Sequence, residues 1–234
     1  MGNWLRDFTH HVQKERAMIL KSEITQLVPP NVKLGFYLLD TKTKEQIVIN
    51  ENDWFPLASV SKLITAIFAL VKNINLKKED IFNVISRHCG NSYKRILEEI
   101  SSEEINNRLA KLNIEIKVDN NNKDKINNLG TPNGIHRILS LLLEGDLLDS
   151  SSKHLIIKSL EQQNDEDGFK LNGHYNWYHM TGGLEGVCND IGYLEFEDRK
   201  IIVIGLIETT DTNVEWYHLE KTLQKIGRII ISNY

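Results

Sequence analysis

The hydrophobic and polar positions divide the chain into strands near both ends and helices between them. Asp7–Leu27 carries Phe8, Val12, Met18, Ile19 and Ile24 at loose helical spacing, and the Pro29-Pro30 pair stops the helix. Val32–Leu39 (VKLGFYLL) and Glu45–Ile49 (EQIVI) read as strands, with Asp40–Lys44 suited to a hairpin turn between them. Ser59–Val71 follows as a helix that is apolar nearly all round, which implies burial on every side. Helical patterns continue through Lys78–Ile100 and Glu103–Leu112, while Lys117–Leu129 is polar and asparagine-rich, hence a loop. Thr131-Pro132 opens a helix that runs through Leu143, and Ser151–Gln163 forms another. Asn176–Thr181, Gly186–Phe196 and Lys200–Ile207 return to strand character, and Glu215–Ser232 closes the chain as an amphipathic helix.

Strands at both ends with helices between them predict an α+β fold. One antiparallel sheet is built from both termini, with the terminal helices packed on it and a helical subdomain beside it. No repeat or linker divides the sequence. The expected division is a sheet subdomain of residues 1–58 and 161–234 and a helical subdomain of residues 59–160, with a cleft between them where a pocket would form.

Composition narrows the function classes. Hydrophobic residues make up 41% and charged residues 26% of 234, so the chain can build a core without disulfides or a structural metal. The balance of 28 Lys and Arg against 32 Asp and Glu, −4 overall, offers no basic excess for nucleic acid. The longest apolar runs, Leu63–Val71 and Ile201–Ile207, fall short of the ~18 residues of a membrane span. Charges at Arg6, Asp7, Lys14, Glu15 and Arg16 interrupt any signal-peptide core. Cys89 and Cys188 read as reduced thiols, so a cytoplasmic location is expected. His10 and His11 have no ligand-spaced companions, and neither a metal nor another cofactor is expected. The pattern sets no oligomeric state.

The sharpest chemical signal is Phe55–Leu63 (FPLASVSKL). Ser59 and Lys62 share a helix face one turn apart, at the helix start. A serine there can act as a nucleophile if a base takes its proton, and a lysine desolvated by an apolar helix can do so. Ser61 is the poorer candidate because adjacent side chains on a helix diverge. Read without context, the same residues are a helix cap and a surface lysine.

The context is a set of ordered matches. FPLASVSKL, the Cys89-Gly90-Asn91 turn within KEDIFNVISRHCGNSYKRILEEI, the helix GTPNGIHRILSLLLEGDLL, and Met180-Thr181-Gly182 within HMTGGLEGVCNDIGYLEF follow one another. In that order they resemble the Ser-x-x-Lys, Ser-Asp-Asn and Lys-Thr-Gly signatures of class A β-lactamases and penicillin-binding proteins. The resemblance implies Ser59 as the acylated nucleophile and Lys62 as its base or proton relay. It implies Asn91 as a holder of the substrate amide that touches Lys62, and Thr181 as a hydroxyl donor to substrate. The backbone N–H groups of Ser59 and Gly183 would form an oxyanion hole, with Gly182 completing the third motif.

The departures are as informative. Cys89 stands where the family has a proton-relaying serine, and reads equally well as a small packing residue. Gly90 replaces the aspartate. Met180 replaces the lysine that helps to grip a substrate carboxylate. Between Asn113 and Thr131 the acidic residues are Glu115, Asp119 and Asp124, and none sits in the family's Glu-x-x-Leu-Asn pattern for deacylation. The implied function is a serine hydrolase or acyltransferase acting on an amide or ester of a small or peptide-like substrate, and a poor β-lactamase. The alternative is a catalytically weak or inactive relative that binds a ligand or partner in the cleft. His174, Tyr175, Trp177, Tyr178 and His179 precede the third motif; Tyr178 and His179 could line the site. Glu185 and Asp190 read as structural polar groups.

Overall fold

The computed structural model describes residues 2–72, 76–120, 127–145, 147–171 and 175–234, with side chains from residue 12 onward. Helix α1 spans Gly2–Gln26 and leads to β1 (Lys33–Asp40), β2 (Gln46–Ile49) and β3 (Phe55–Pro56). A helical region follows: α2 (Val60–Val71), α3 (Lys78–Arg87), α4 (Gly90–Glu99) and α5 (Ser102–Lys111). The short strands β4 (Ile116–Lys117) and β5 (Leu129–Gly130) precede α6 (Pro132–Glu144) and α7 (Ser150–Glu161). The chain closes with β6 (Asn176–Leu184), β7 (Val187–Glu195), β8 (Lys200–Glu208) and α8 (Trp216–Asn233).

The main sheet has the order β2-β1-β8-β7-β6, and every neighbouring pair is antiparallel. The two ends of the sequence meet where β1 pairs with β8, from Lys33 opposite Glu208 to Asp40 opposite Ile201. The sheet is covered on both faces, so β8 reads as a nearly unbroken apolar run rather than an alternation. Ile201, Val203 and Ile207 pack with Phe36, Leu38, Leu20 and Leu223 on the side of the terminal helices. Ile202, Ile204 and Leu206 pack with Tyr37, Leu63, Ile67 and Ile138 on the side of the helical region. Strand β6 lies at the sheet edge, next to the start of α2.

Local signals account for most boundaries. Thr131 caps α6 through its hydroxyl, which accepts from the Gly134 N–H at 2.9 Å, and Pro132 sits in the first turn. Ser101 and Glu104 form a reciprocal capping box on α5. Asp149 caps α7 through the N–H groups of Ser151 and Ser152.

Two expectations need correction. The helical pattern through Lys78–Ile100 is two helices, because His88 takes a left-handed conformation (φ 51°) that ends α3, and α4 restarts at Gly90. A hydrogen-bonded ion pair between buried Asp80 and Arg95 ties the two helices across that corner, and Arg95 also reaches the Ser92 hydroxyl at 2.9 Å. In α1, Val12, Met18 and Ile19 are exposed, and Leu20 and Ile24 make the core contact instead. The last two lie one turn apart and face the sheet together, a stripe narrower than the loose spacing suggested.

Candidate active site

The turn that carries Ser59 is held by the sheet before the helix begins. Strand β3 pairs with β5, the Leu57 N–H donates to Asn128 O at 2.7 Å, and buried Asn189 on β7 donates to Pro56 O at 2.8 Å. Ala58 then takes a left-handed backbone (φ 49°), an uncommon conformation for a residue with a side chain. That bend places Ser59 at the N-terminus of α2, partly exposed, with no capping hydrogen bond from its side chain. Everything from Val60 to Ala69 is buried, as the all-round apolar pattern requires.

Lys62 is 4% exposed, and its Nζ donates to the His88 carbonyl at 3.1 Å. The Lys62 side chain therefore links α2 directly to the corner between α3 and α4. Ser61 points elsewhere: it is fully buried and its hydroxyl donates to Ala58 O at 2.8 Å. Tyr93, on α4, lies with its ring 5.9 Å from Lys62 Nζ, and its hydroxyl donates to Asn120 Oδ1 at 2.8 Å.

Cys89 and Asn91 sit where the second motif was expected, at the start of α4. Cys89 is the residue just before the helix, half-buried, and Asn91 is exposed in the first turn. The Ser92 backbone N–H, followed by the Ser92 hydroxyl, holds the Cys89 thiol below its usual range. The Asn91 N–H and the Arg95 charge add to this, while burial works against it.

Strand β6 closes the third side. An added Cβ on Gly182 would lie 2.7 Å from Leu57 O and 3.1 Å from Val60 N, so only glycine lets the strand come this close to the Ser59 turn. Gly183 is exposed beside the Trp216 ring. Met180 is fully buried, and Gln163 Nε2 approaches its sulfur at 3.5 Å. Thr181 is 2% exposed, and its hydroxyl is engaged within the protein: it donates to Asp165 Oδ2 at 2.8 Å and lies 3.1 Å from His88 Nε2.

Three segments thus converge: the Ser59 turn, the corner at His88-Cys89 and the edge strand at Thr181–Gly183. The sequence reading did not single out His88, Gln163 or Asp165. Gln163-Asn164-Asp165 follows α7 as an ordinary polar turn, and only its hydrogen bonds to Ile85, Ser86 and Thr181 bring it here.

The remaining candidates have structural roles. His179 is buried with Asp190, Nδ1 to Oδ1 2.9 Å, and Asp190 Oδ2 accepts from the Phe169 N–H at 3.0 Å. Burial pushes the Asp190 carboxyl up, and the His179 contact counters it. Tyr178 stacks on Tyr193 and donates to Glu195 Oε2 at 3.0 Å. His179 and Tyr178 therefore do not line the cleft. His174, Asp124 and the side chains of Phe8, His10 and His11 lie outside the described residues. Among the described residues no group of three or more His, Cys, Asp or Glu could hold a metal ion, and no helix is long and apolar enough to cross a membrane.

Comparisons with known proteins bear on the family and the fold. The family model described as "Beta-lactamase enzyme family" matches residues 19–80 and 92–234. The interval between the two matched stretches holds His88, Cys89 and Asn91. A curated relative, Beta-lactamase 3 of Bacillus cereus, is 22% identical over 227 residues, 77% of this chain and 71% of that one. Among solved structures, TLA-1 extended-spectrum β-lactamase superposes with a TM-score of 0.81 at 17% identity, covering 92% of this chain and 98% of that one. A penicillin-G acyl-enzyme complex of PBP-A gives a TM-score of 0.80 at 15% identity, covering 92% and 96%. A class A β-lactamase from Bacteroides cellulosilyticus gives 0.80 at 18% identity, covering 91% and 96%. These structures share the β-lactamase/transpeptidase fold, and with the family match running over most of its length, this chain belongs to the β-lactamase enzyme family.

Proposed function

We propose that the protein is a serine hydrolase or acyltransferase that works on an amide or ester through an acyl-Ser59 intermediate, and that it is a poor β-lactamase. Family membership supports serine hydrolase activity in general. The observation that carries the finer reading is the Ser59 turn: a left-handed Ala58 presents a partly exposed serine at the head of a buried helix, with buried Lys62 one turn on.

In this mechanism Ser59 Oγ attacks the substrate carbonyl carbon as its proton passes to Lys62 Nζ. The backbone N–H groups of Ser59 and Gly183 receive the developing oxyanion; one such donor is worth roughly 3–4 kcal/mol in acyl transfer. The tetrahedral intermediate collapses, the carbonyl–nitrogen or carbonyl–oxygen bond breaks, and the leaving group takes a proton relayed by Lys62 or the Cys89 thiol. Water or another acceptor then releases the acyl group. Met180 leaves a substrate carboxylate without the family's lysine, and the family's deacylating glutamate pattern is absent from the sequence. Both features argue against efficient turnover of penicillins.

The test is intact-protein mass spectrometry after incubation with a fluorophosphonate probe and, separately, with penicillin. Labelling by the fluorophosphonate should vanish in Ser59→Ala and survive in Ser61→Ala, whose hydroxyl is buried against Ala58 O. Equal labelling of Ser59→Ala would overturn the assignment. The second reading, a weak or inactive relative that binds a ligand or partner in the same cleft, is favoured by Cys89 and Met180 in the motif positions. It predicts no covalent adduct with either reagent.

A further inference from the structure

The Thr181 hydroxyl, which the resemblance assigns to substrate, already has an anion. It donates to Asp165 Oδ2 at 2.8 Å, and His88 Nε2 lies 3.7 Å from the same oxygen. The segment that brings Asp165 here is anchored along its length. Gln163 Nε2 donates to Ile85 O at 2.8 Å, the Asn164 N–H to Ser86 O at 3.1 Å, and the Phe169 N–H to Asp190 at 3.0 Å. The Asp167 N–H donates to Asp165 Oδ1 at 3.1 Å and orients the carboxylate itself. Burial pushes the Asp165 carboxyl up, but the Asp167 N–H, the Thr181 hydroxyl and the His88 imidazole outweigh it and leave it below the usual range. The group is therefore a fixed negative charge. Its side chain stays 31% exposed and that of His88 21%, so a ligand entering beside β6 meets both.

Among the described cations, Lys62 donates to the His88 carbonyl at 3.1 Å, Arg87 lies over the Phe82 ring, and Lys170 pairs with Glu220 at 3.5 Å. A substrate carboxylate at Thr181 would face a like charge at close range, whereas an amine or amide N–H would gain an acceptor. Like-charge juxtaposition is a recurrent device for rejecting the wrong partner.

We propose that Asp165 is a specificity-determining residue of this site: it fills the threonine position with the chain's own carboxylate and turns the cleft towards acyl donors that are neutral or cationic at the end that reaches β6. This rests on the acyl-Ser59 reading.

The experiment compares three p-nitrophenyl esters of matched size whose acyl chains end in a carboxylate, a primary amide or an ammonium group. Acylation rates are measured, with the adduct located at Ser59 by mass spectrometry. The unmodified protein should acylate from the amide and ammonium esters at least ~10-fold faster than from the carboxylate ester, about 1.4 kcal/mol of discrimination. Asp165→Asn, which keeps the shape and a hydrogen-bond acceptor, should raise the carboxylate-to-amide ratio by ~10-fold and lower the ammonium-to-amide ratio. Unchanged ratios in a folded Asp165→Asn protein would overturn the proposal. If that variant does not fold, the ranking in the unmodified protein decides, and a carboxylate ester acylating fastest would assign His88 as a carboxylate-binding cation instead. Acylation of Ser59 without charge discrimination overturns this inference alone. Absence of a Ser59 adduct from all three esters overturns the acyl-serine reading and this inference with it.

Discussion

Asp167 carries the clearest titration consequence at the scale of single residues. Burial, and then the neighbouring Asp165 charge, push its carboxyl up to about 6. An unfolded aspartate titrates near ~3.9. Between those values the folded chain holds a proton that the unfolded chain has lost, so stability falls as pH rises through that window. Asp167→Asn removes this dependence. It should match the parent protein at pH ~4 and exceed it at pH ~7 by about 1 kcal/mol, or ~3 °C, since solvent screens a group that is only partly buried. Thermal melts at the two pH values check this, and an equal shift at both would remove the electrostatic account.

The edge strand β6 and the head of α2 are set by one close approach at the scale of elements. Leu57 O would lie 2.7 Å from an alanine Cβ at position 182, and a backbone atom held by β3 cannot swing aside as a side chain could. Gly182→Ala should push the strand off the Ser59 turn, costing about 1–3 kcal/mol of stability, as overpacking does, and slowing acylation of Ser59. At Gly183 the same methyl would meet the Trp216 ring at 3.6 Å, ordinary contact. Gly183→Ala should stay within ~0.5 kcal/mol of the parent in stability. Chemical denaturation of the two variants distinguishes these outcomes; similar losses in both would mean that the strand, and not the contact with Leu57, is the sensitive feature.

For the molecule as a whole, the segment after α7 depends on one aromatic anchor. Phe169 is 1% exposed and meets Phe36 and Trp177 edge to face, each with ring centroids 6.4 Å apart. Its N–H is held by Asp190, and residues 163 to 165 reach the cleft from this fixed point. Phe169→Ala should cost about 3–4 kcal/mol, from lost burial and the cavity left behind, or ~10 °C in Tm. Because Asp165 sits on the same segment, the charge preference of acylation should weaken in this variant as well. A melting temperature within ~2 °C of the parent would show that the core closes over the vacancy.

What the sequence determined by itself was local. Alternating or continuous apolar runs gave the five strands of the main sheet, because a strand's side chains report its two faces directly, and β8 is apolar throughout because both faces are covered. Thr131-Pro132 gave the start of α6, whereas the Ser101–Glu104 box and the Asp149 cap came to light only in the structure. Ser59 and Lys62 were legible because the helix places them one turn apart whatever surrounds it. The periodicity alone runs through His88 unbroken, and only the motif resemblance put a turn at Cys89-Gly90-Asn91; the left-handed His88 that ends α3 beside it is a residue with no sequence mark of its own. The short β3–β5–β4 sheet was hidden too, because strands of two residues exist only through their partners. Only the tertiary structure could bring Asp165 and Gln163 from the end of α7 onto His88 and Thr181, and could bury Met180 beneath them. Those contacts join residues far apart in the chain, and their geometry is set by how the helices pack on the sheet rather than by any spacing in the sequence.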